Sequence, residues 1–447
     1  MSTGFLFLFC VYIFWPGDTI VNEQRPPDLT IVIPALNEAA NLAFLLPQVW
    51  TVIKPLGLTP EIIIVDESAS EQTRAIIAEN HGILVCPPTR GYGKALQAGF
   101  EQAHADYVVT MDADLSHPPE FLRTMWEARH TADVLIASRY ISGGEADMPL
   151  SRLLLSKTLN IFFSRGLDLK LRDMSSGYRM YARRAIPYKS MQGIDFNVLQ
   201  ELLVRVLLEG YRIKEIPFHY MPRKRGSSHA RVITFGIAYL KTFTKLWLLR
   251  NSISSADYDS RAYASWLIPQ RYWQRMRYKH ITHLAKDKGK CLDVGCGSSR
   301  ILKALPSGSV GVDILIRKLR YARQFRKELV QGSLFNLPVP DRSFPCVICS
   351  QVIEHISREG VFNELDRVLK PGGFLILGTP DYSKWQWIAI EWLYGKILPQ
   401  AYADEHITHY SYQELIQEFV KKRGYSLAVH KYILQGELIL GLQKPLS

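Results

Sequence analysis

The feature that most constrains this 447-residue chain is a rhythm that starts twice. Short apolar, β-branched runs are each closed by a polar or Gly-rich motif and followed by helix-period sequence. The first series lies at 29–33 (LTIVI), 61–65 (EIIIV), 107–111 (YVVTM) and 133–137 (DVLIA). The second lies at 290–294 (KCLDV), 309–313 (SVGVD), 345–349 (PCVIC) and 373–377 (GFLIL). Helix-period spacers such as 41–53, 73–80 and 94–103 separate the first set. Strands that are apolar on both faces and alternate with helices predict mostly parallel sheets covered by helices, an α/β class. At roughly 100–200 residues per domain the chain accommodates two such units in series. The expected boundaries are an apolar segment at 1–27, a first domain at 28–250, a Ser-rich linker at 251–256 and a second domain at 257–447.

With 47% apolar and 21% charged residues, neither a disordered chain nor a polytopic membrane protein fits. Lys and Arg number 54 against 42 acidic residues, a net charge of +12. That excess points to a polyanionic neighbour: nucleotide phosphates, an anionic membrane surface or nucleic acid. Six cysteines make no disulfide framework, and the Cys346/Cys349 pair sits inside an apolar run, where buried packing is the expectation. Residues 4–15 are uncharged and apolar but fall short of the roughly 20 that a membrane span needs. They carry no signal-peptide features; an interfacial anchor and a misplaced start both remain open.

Parallel sheets hold ligands at the carboxyl ends of their strands. Asp66 follows one run directly, and Asp112-Ala113-Asp114 follows another. Two carboxylates two residues apart can turn to one hard cation, Mg²⁺ or Mn²⁺, which can bridge a nucleotide diphosphate. Taken alone, the pair is also what a solvated loop contains. Its neighbours narrow the reading. Pro34-Ala35-Leu36-Asn37-Glu38, Asp66-Glu67, Arg90-Gly91-Tyr92-Gly93-Lys94 and Asp112-Ala113-Asp114 stand in an order that closely resembles the inverting family 2 glycosyltransferases of GT-A fold. Three further motifs run from Ser138-Arg139, from Arg172-Asp173 to Gly177-Tyr178-Arg179, and from Pro222-Arg223-Lys224-Arg225-Gly226 to Ser228. With them the chain resembles the dolichol-phosphate (polyprenyl-phosphate) mannose synthase branch over about 28–250.

That resemblance implies a Rossmann-like, mostly parallel GT-A domain. Pro34, Asn37, Glu38 and Asp66 would line the nucleotide pocket, and Asp112 and Asp114 would hold the metal. Arg139, Arg152, Ser156, Arg223, Arg225 and Ser228 would bind the acceptor phosphate, with Arg225 counted among the catalytic residues. The donor implied is GDP-mannose or UDP-glucose and the acceptor a polyprenyl phosphate. The sequence departs from the family at Glu67, often Asp, and at Ser116, often Gln. A phosphate acceptor is already anionic at pH 7, so the site needs cations to position it rather than a base to deprotonate it. Arg forks suit that task.

Residues 216–256 hold seven basic and no acidic side chains, among them Arg223, Lys241, Lys245 and Arg250. Phe235, Tyr239, Phe243 and Trp247 fall on one helical stripe. Core packing and a helix lying on an anionic membrane both produce such a stripe; the need to meet a lipid substrate favours the membrane. The expected setting is a cytoplasmic, peripherally membrane-associated enzyme.

In the second half, Asp293-Val294-Gly295-Cys296-Gly297 is a strand end and Gly-rich turn, and Asp313 closes the next strand. Arg300 stands where a dinucleotide fingerprint has its third glycine. With Asp341, Glu354-His355 and Pro371-Gly372-Gly373, residues 256–447 resemble class I S-adenosylmethionine-dependent methyltransferases, a second Rossmann-like domain. The resemblance implies that Asp293, Gly295 and Gly297 surround the methionine moiety and that Asp313 meets the ribose. Ser333 stands where relatives carry an adenine-contacting acid. Tyr258, Tyr263, Trp266, Tyr272 and Trp273 fit a cofactor cap or, preferably, a packed helix pair. His355, His406 and His409 are candidate bases by residue type only. The leading reading is a bifunctional glycosyltransferase and methyltransferase whose methyl acceptor belongs to a glycoconjugate pathway. The alternatives are transfer to a polysaccharide hydroxyl, or a basic RNA-binding methyltransferase. No nucleic-acid recognition module is visible, and no nucleic-acid partner is expected.

Overall fold

A computed structural model describes residues 11–12, 26–67, 69–221, 232–357, 360–397 and 406–446. The chain divides into two compact units, residues 1–207 with 211–247 and residues 208–210 with 248–447.

The first unit is built on strands β1 (Val11–Tyr12), β2 (Leu29–Pro34), β3 (Pro60–Val65), β4 (Ile83–Val85), β5 (Tyr107–Thr110), β6 (Val134–Ser138), β7 (Glu145–Ala146), β8 (Arg179–Ala182), β9 (Ile213–Pro217) and β10 (His219–Tyr220). Eight of them form one sheet in the order β1-β4-β3-β2-β5-β8-β6-β9, and β10 pairs with β7 alongside. The central strands are parallel, with β2 in register against β3 from Leu29↔Pro60 to Pro34↔Val65. Their side chains are buried on both faces, as the unbroken apolar runs predict. The exception is β8, wedged antiparallel between β5 and β6. Its sequence, Arg-Met-Tyr-Ala, gives no apolar run to announce it. Arg179 is nonetheless fully buried there, donating from Nη1 to the Leu199 carbonyl (2.8 Å) and from Nη2 to the Met174 carbonyl (2.7 Å).

Helices cover both faces. In Ala39–Ile53, Leu42, Leu45, Leu46, Val49 and Ile53 recur at helical spacing and are all buried. The helix Tyr92–Gln102 lies so close to β2 that a Cβ on Gly99 would stand 2.3 Å from Val32 Cγ1. Of the apolar segment at 4–15, only Val11 and Tyr12 are among the described residues, paired antiparallel with Val85 and Leu84.

The second unit has strands β11 (Cys291–Val294), β12 (Val310–Asp313), β13 (Glu328–Gln331), β14 (Phe344–Ser350), β15 (Leu369–Pro380), β16 (Ser426–Ile433) and β17 (Glu437–Gln443). The order is β13-β12-β11-β14-β15-β17-β16, parallel from β13 to β15 and antiparallel at β17 and β16. Cys346 and Cys349 are buried within β14, and both are free thiols. Among the described residues no helix is long and apolar enough to cross a membrane.

The tight seat of Gly99 makes a direct prediction. Gly99→Ala should cost about 1–3 kcal/mol by overpacking, despite the better helix propensity of Ala. Urea unfolding should report the loss, and Val32→Ala in the same chain should recover part of it.

Candidate active sites

At the carboxyl end of β5, the Thr110 hydroxyl donates to the Gly177 carbonyl (2.7 Å) and the chain turns into Asp112 and Asp114. Asp112 keeps 27% of its side chain exposed. Its Oδ1 accepts from the Tyr92 hydroxyl (3.1 Å), and its backbone N–H donates to His117 Nδ1 (2.9 Å). That bond puts the proton of a neutral His117 ring on Nε2, which lies 3.8 Å from Asp112 Oδ2. His117 stacks on Tyr178, and Tyr92 stacks on Phe196. Burial, reinforced by the Asp112 charge, pushes the Tyr92 hydroxyl well above its ordinary pKa, so it stays a donor. Asp114 is buried, and its Oδ1 accepts from Ser116 N–H (3.0 Å) and Oγ–H (2.5 Å). Leu115 between them adopts φ 64°, a left-handed conformation costly for a non-glycine residue, and this folds Ser116 back onto Asp114. Ser116 therefore braces the second carboxylate.

One cleft of about 1320 Å³ in this unit is lined by Pro34, Asn37, Glu38, Asp112 and Asp114 and also by Arg139, Arg152 and Ser156. Asp66 is buried at 1% exposure; its neighbours Val65 and Glu67 form that part of the wall. Arg139 is held by Asp173 through two bonds of 2.7 Å, Nε to Oδ2 and Nη2 to Oδ1, and Nη2 also donates to Ser175 Oγ (2.8 Å). Burial would raise the Asp173 pKa, but the Arg139 charge and hydrogen bonds outweigh it and hold the carboxyl below its ordinary value. The Tyr140 hydroxyl donates to Ser156 Oγ (2.8 Å), and Asn160 ties Ser175 Oγ (3.0 Å) to the Met174 N–H (2.7 Å). Arg152 is exposed. Arg223, Arg225 and Ser228 lie outside the described residues.

Part of the lining is apolar. On the helix Leu150–Gly166, Leu155, Leu159 and Phe162 line the cleft, and Leu150, Leu154 and Ile161 are 69%, 57% and 52% exposed. The aromatic stripe at 235–247 turns out otherwise than expected at Phe243, which packs on Phe162 and Phe163 with ring centroids 4.6 and 5.5 Å apart. Two of the basic residues are also engaged internally. Lys245 donates to Gln192, and buried Arg250 pairs with Asp257 through two 2.5 Å bonds.

In the second unit the turn after β11 has Gly295 at φ 66° and Gly297 at φ 53°. A Cβ on Gly295 would meet Val352 Cγ2 at 2.3 Å, and one on Gly297 would meet Asp259 Oδ2 at 2.7 Å. Asp313 is buried, accepting from the N–H groups of Gly297 (Oδ2, 2.8 Å) and Leu315 (Oδ1, 2.8 Å). Asp259, absent from the sequence expectations, accepts from Ser298 and pairs with Lys318 (3.4 Å). Burial would raise its pKa, but Lys318, Arg277 and the Ser298 bonds bring it down to about 2. Asp293 has one buried oxygen without a hydrogen-bond partner; burial, with the charges of Asp313 and Asp259 and against that of Arg277, pushes it up to about 7. A cradle of glycines and carboxylates fits the amino acid and ribose ends of S-adenosylmethionine. Ser333 is half-buried, its Oγ accepting from Phe335 N–H (3.3 Å). Of the aromatic entry, Trp273 packs on Trp387, whereas Trp266 is 82% exposed and Tyr272 48%.

A match to glycosyl transferase family 2 spans residues 30–187, and one to a methyltransferase domain spans residues 292–377. The first half is similar to a dolichol-phosphate mannosyltransferase of Pyrococcus furiosus, 30% identical over 49% of this chain and 63% of the relative. It is also similar to a polyprenol monophosphomannose synthase of Mycolicibacterium smegmatis, 31% identical over 46% of this chain and 82% of the relative. An undecaprenyl-phosphate mannosyltransferase of Micrococcus luteus is 31% identical over 44% of this chain and 85% of the relative. The chain thus spans less than two thirds of the Pyrococcus relative and most of the other two.

The raised Asp293 pKa has a measurable consequence. The ordinary value is about 3.9, so between about pH 4 and 7 the folded state keeps a proton that the unfolded state has lost, and stability falls as pH rises through that window. In cofactor-free melts, Asp293→Asn should therefore gain more over wild type at about pH 8 than at about pH 5. An equal difference at both would contradict the assignment.

Proposed function

The chain belongs to glycosyl transferase family 2 through its first unit and carries a methyltransferase domain in its second, and on that premise we propose that it joins a hexose from a nucleotide sugar to a polyprenyl phosphate. The observation that carries this reading is one cleft of the first unit that brings these groups together. Its lining includes the two strand-end carboxylates Asp112 and Asp114, the polar group Arg139, Arg152 and Ser156, and apolar side chains of the helix Leu150–Gly166. Pro34, Asn37, Glu38 and the wall beside Asp66 are read as the nucleotide subsite. Asp112 and Asp114 present the oxygen ligands that Mg²⁺ or Mn²⁺ prefers, and such an ion would supply positive charge to the departing diphosphate.

Tyr92 and His117 orient Asp112, and Ser116 orients Asp114, so both carboxylates are set before a donor arrives. In the same cleft, the Arg139–Asp173 pair is neutral as a unit; it shapes the acceptor subsite and offers an N–H edge. Arg152 and the basic stretch at 223–225 bring the net charge that a phosphate needs. Held there, the lipid phosphate oxygen is already an anion and attacks the anomeric carbon from the side opposite the leaving group, which inverts configuration. Leucines exposed along Leu150–Gly166 support a lipid acceptor met at a membrane surface, with the enzyme peripheral on the cytoplasmic side. Donors of the GDP-mannose or UDP-glucose type fit this reading.

In the second domain, taken as 257–447, S-adenosylmethionine supplies a methyl group activated as a sulfonium, and the protein's task is to align the acceptor with it. Gly295 and Gly297 let the backbone approach the cofactor, and Asp313 is read as the ribose acceptor. An acceptor in the same glycoconjugate pathway joins the two activities.

Incubation with GDP-mannose or UDP-glucose, polyprenyl phosphate and Mg²⁺ or Mn²⁺ should yield a lipid-linked hexose detectable by mass spectrometry. Asp112→Asn should lower kcat at least about a hundredfold. Arg152→Ala should raise the KM for polyprenyl phosphate roughly tenfold and leave that for the nucleotide sugar unchanged. No lipid-linked product with either donor would refute the reading.

A further inference from the structure

Past the carboxyl end of β14, the chain brings three metal-ligating side chains together that the reactions above do not use. One carboxylate oxygen of Glu354 and one ring nitrogen each of His355 and His406 all lie within 4.8 Å of one another. Two different segments supply them, and main-chain hydrogen bonds fasten one to the other. Ile407 N–H and Thr408 N–H both donate to the Glu354 carbonyl (2.8 and 3.0 Å), and Thr408 Oγ1 donates to the Ile356 carbonyl (2.6 Å). The cluster is therefore set by the backbone as well as by rotamer choice.

Two independent features point to a cation. Glu354 is completely buried; Oε2 accepts from Thr379 Oγ1 (3.1 Å), while Oε1 has no hydrogen-bond partner among the described residues. An inaccessible carboxylate oxygen left in that state is costly, and a bound cation would remove the cost. Secondly, His406 Nδ1 is held by the Glu391 carboxylate (2.8 Å) and the Tyr382 hydroxyl (2.5 Å). A carboxylate on one imidazole nitrogen, fixing the ring for coordination through the other, is the support that metal-bound histidines ordinarily have.

We infer that Glu354, His355 and His406 form a divalent metal site in the methyltransferase unit. Two imidazoles and one carboxylate select a transition metal such as Zn²⁺, Co²⁺, Ni²⁺ or Mn²⁺ over Mg²⁺ or Ca²⁺. Three protein ligands leave at least one position for water or an oxygen-bearing substrate, as in reacting rather than closed structural sites. This site is separate in sequence and ligand chemistry from the all-oxygen pair Asp112 and Asp114, and it stands or falls independently of the sugar-transfer reading.

The test is Co²⁺ titration of the full chain carrying Asp112→Asn and Asp114→Asn, which removes the other divalent candidate. A saturable visible ligand-field band that Zn²⁺ displaces and excess Mg²⁺ does not is the expected result. Glu354→Gln and His406→Ala should each abolish the band. Because either could disturb the fold, Glu391→Gln, which lies outside the three ligands and meets His406 Nδ1 and the Tyr382 hydroxyl, provides a gentler arm. It should weaken Co²⁺ binding about 10–100-fold with an unchanged metal-free melting curve. Absence of a saturable band, displacement by Mg²⁺ as readily as by Zn²⁺, or a band indifferent to all three substitutions would overturn the site.

Discussion

Everything in the first unit turns on where a fixed Arg–carboxylate pair sits relative to two strand-end acids. Asp173 is sealed from solvent, and Arg139 does most to make its ionised form tolerable there, with two parallel hydrogen bonds and a full opposite charge, helped by the Ser175 hydroxyl and the Ser176 N–H. A buried pair of this kind adds little net stability, but removing one partner is severe because the other is left charged and dry. What the pair provides is position. It anchors the segment after β6 to the segment before β8, and both then border the cleft that also contains Asp112 and Asp114. The antiparallel insertion of β8 between β5 and β6 is what brings these segments to one edge.

The same logic recurs in the second unit with different chemistry. Parallel strands end in a row, and their last side chains and the following turns must satisfy one another or a ligand. After β11 and β12, backbone N–H groups and carboxylates face each other across two left-handed glycines. After β14, a glutamate and two histidines meet instead. One edge of one sheet thus carries two polar centres, one shaped for a nucleoside and an amino acid, the other for a cation.

Much of this was legible in the residues. Runs such as EIIIV and YVVTM are apolar on both faces, a pattern that only covered parallel strands satisfy, and the D-x-D at the end of the second is fixed by its strand. Elements without such a signal escaped. Strand β8 contains an arginine whose burial depends on carbonyls distant in sequence. Strand β16, Ser426–Ile433, is the exposed edge of its sheet and carries no motif, and Asp259 enters its site through a fold contact with Ser298. The aromatic stripe at 235–247 shows the limit of periodicity: spacing says that Phe243 shares a face with Trp247, but only Phe162 and Phe163 decide that it faces protein. His355 and His406 were visible as residue types, whereas their meeting depends on pairing between segments some fifty residues apart.

Sugar transfer of this kind requires a lipid phosphate and a metal-held diphosphate in one cleft together. Phosphorus NMR of a short-chain polyprenyl phosphate, with Mn²⁺ and a non-transferable nucleotide-sugar analogue present, tests that most directly. The lipid phosphorus should show strong paramagnetic relaxation in the wild-type ternary complex, and this should disappear in the chain carrying Asp112→Asn and Asp114→Asn. Relaxation no greater than that from the same Mn²⁺ free in solution, or unchanged by that double substitution, would contradict it.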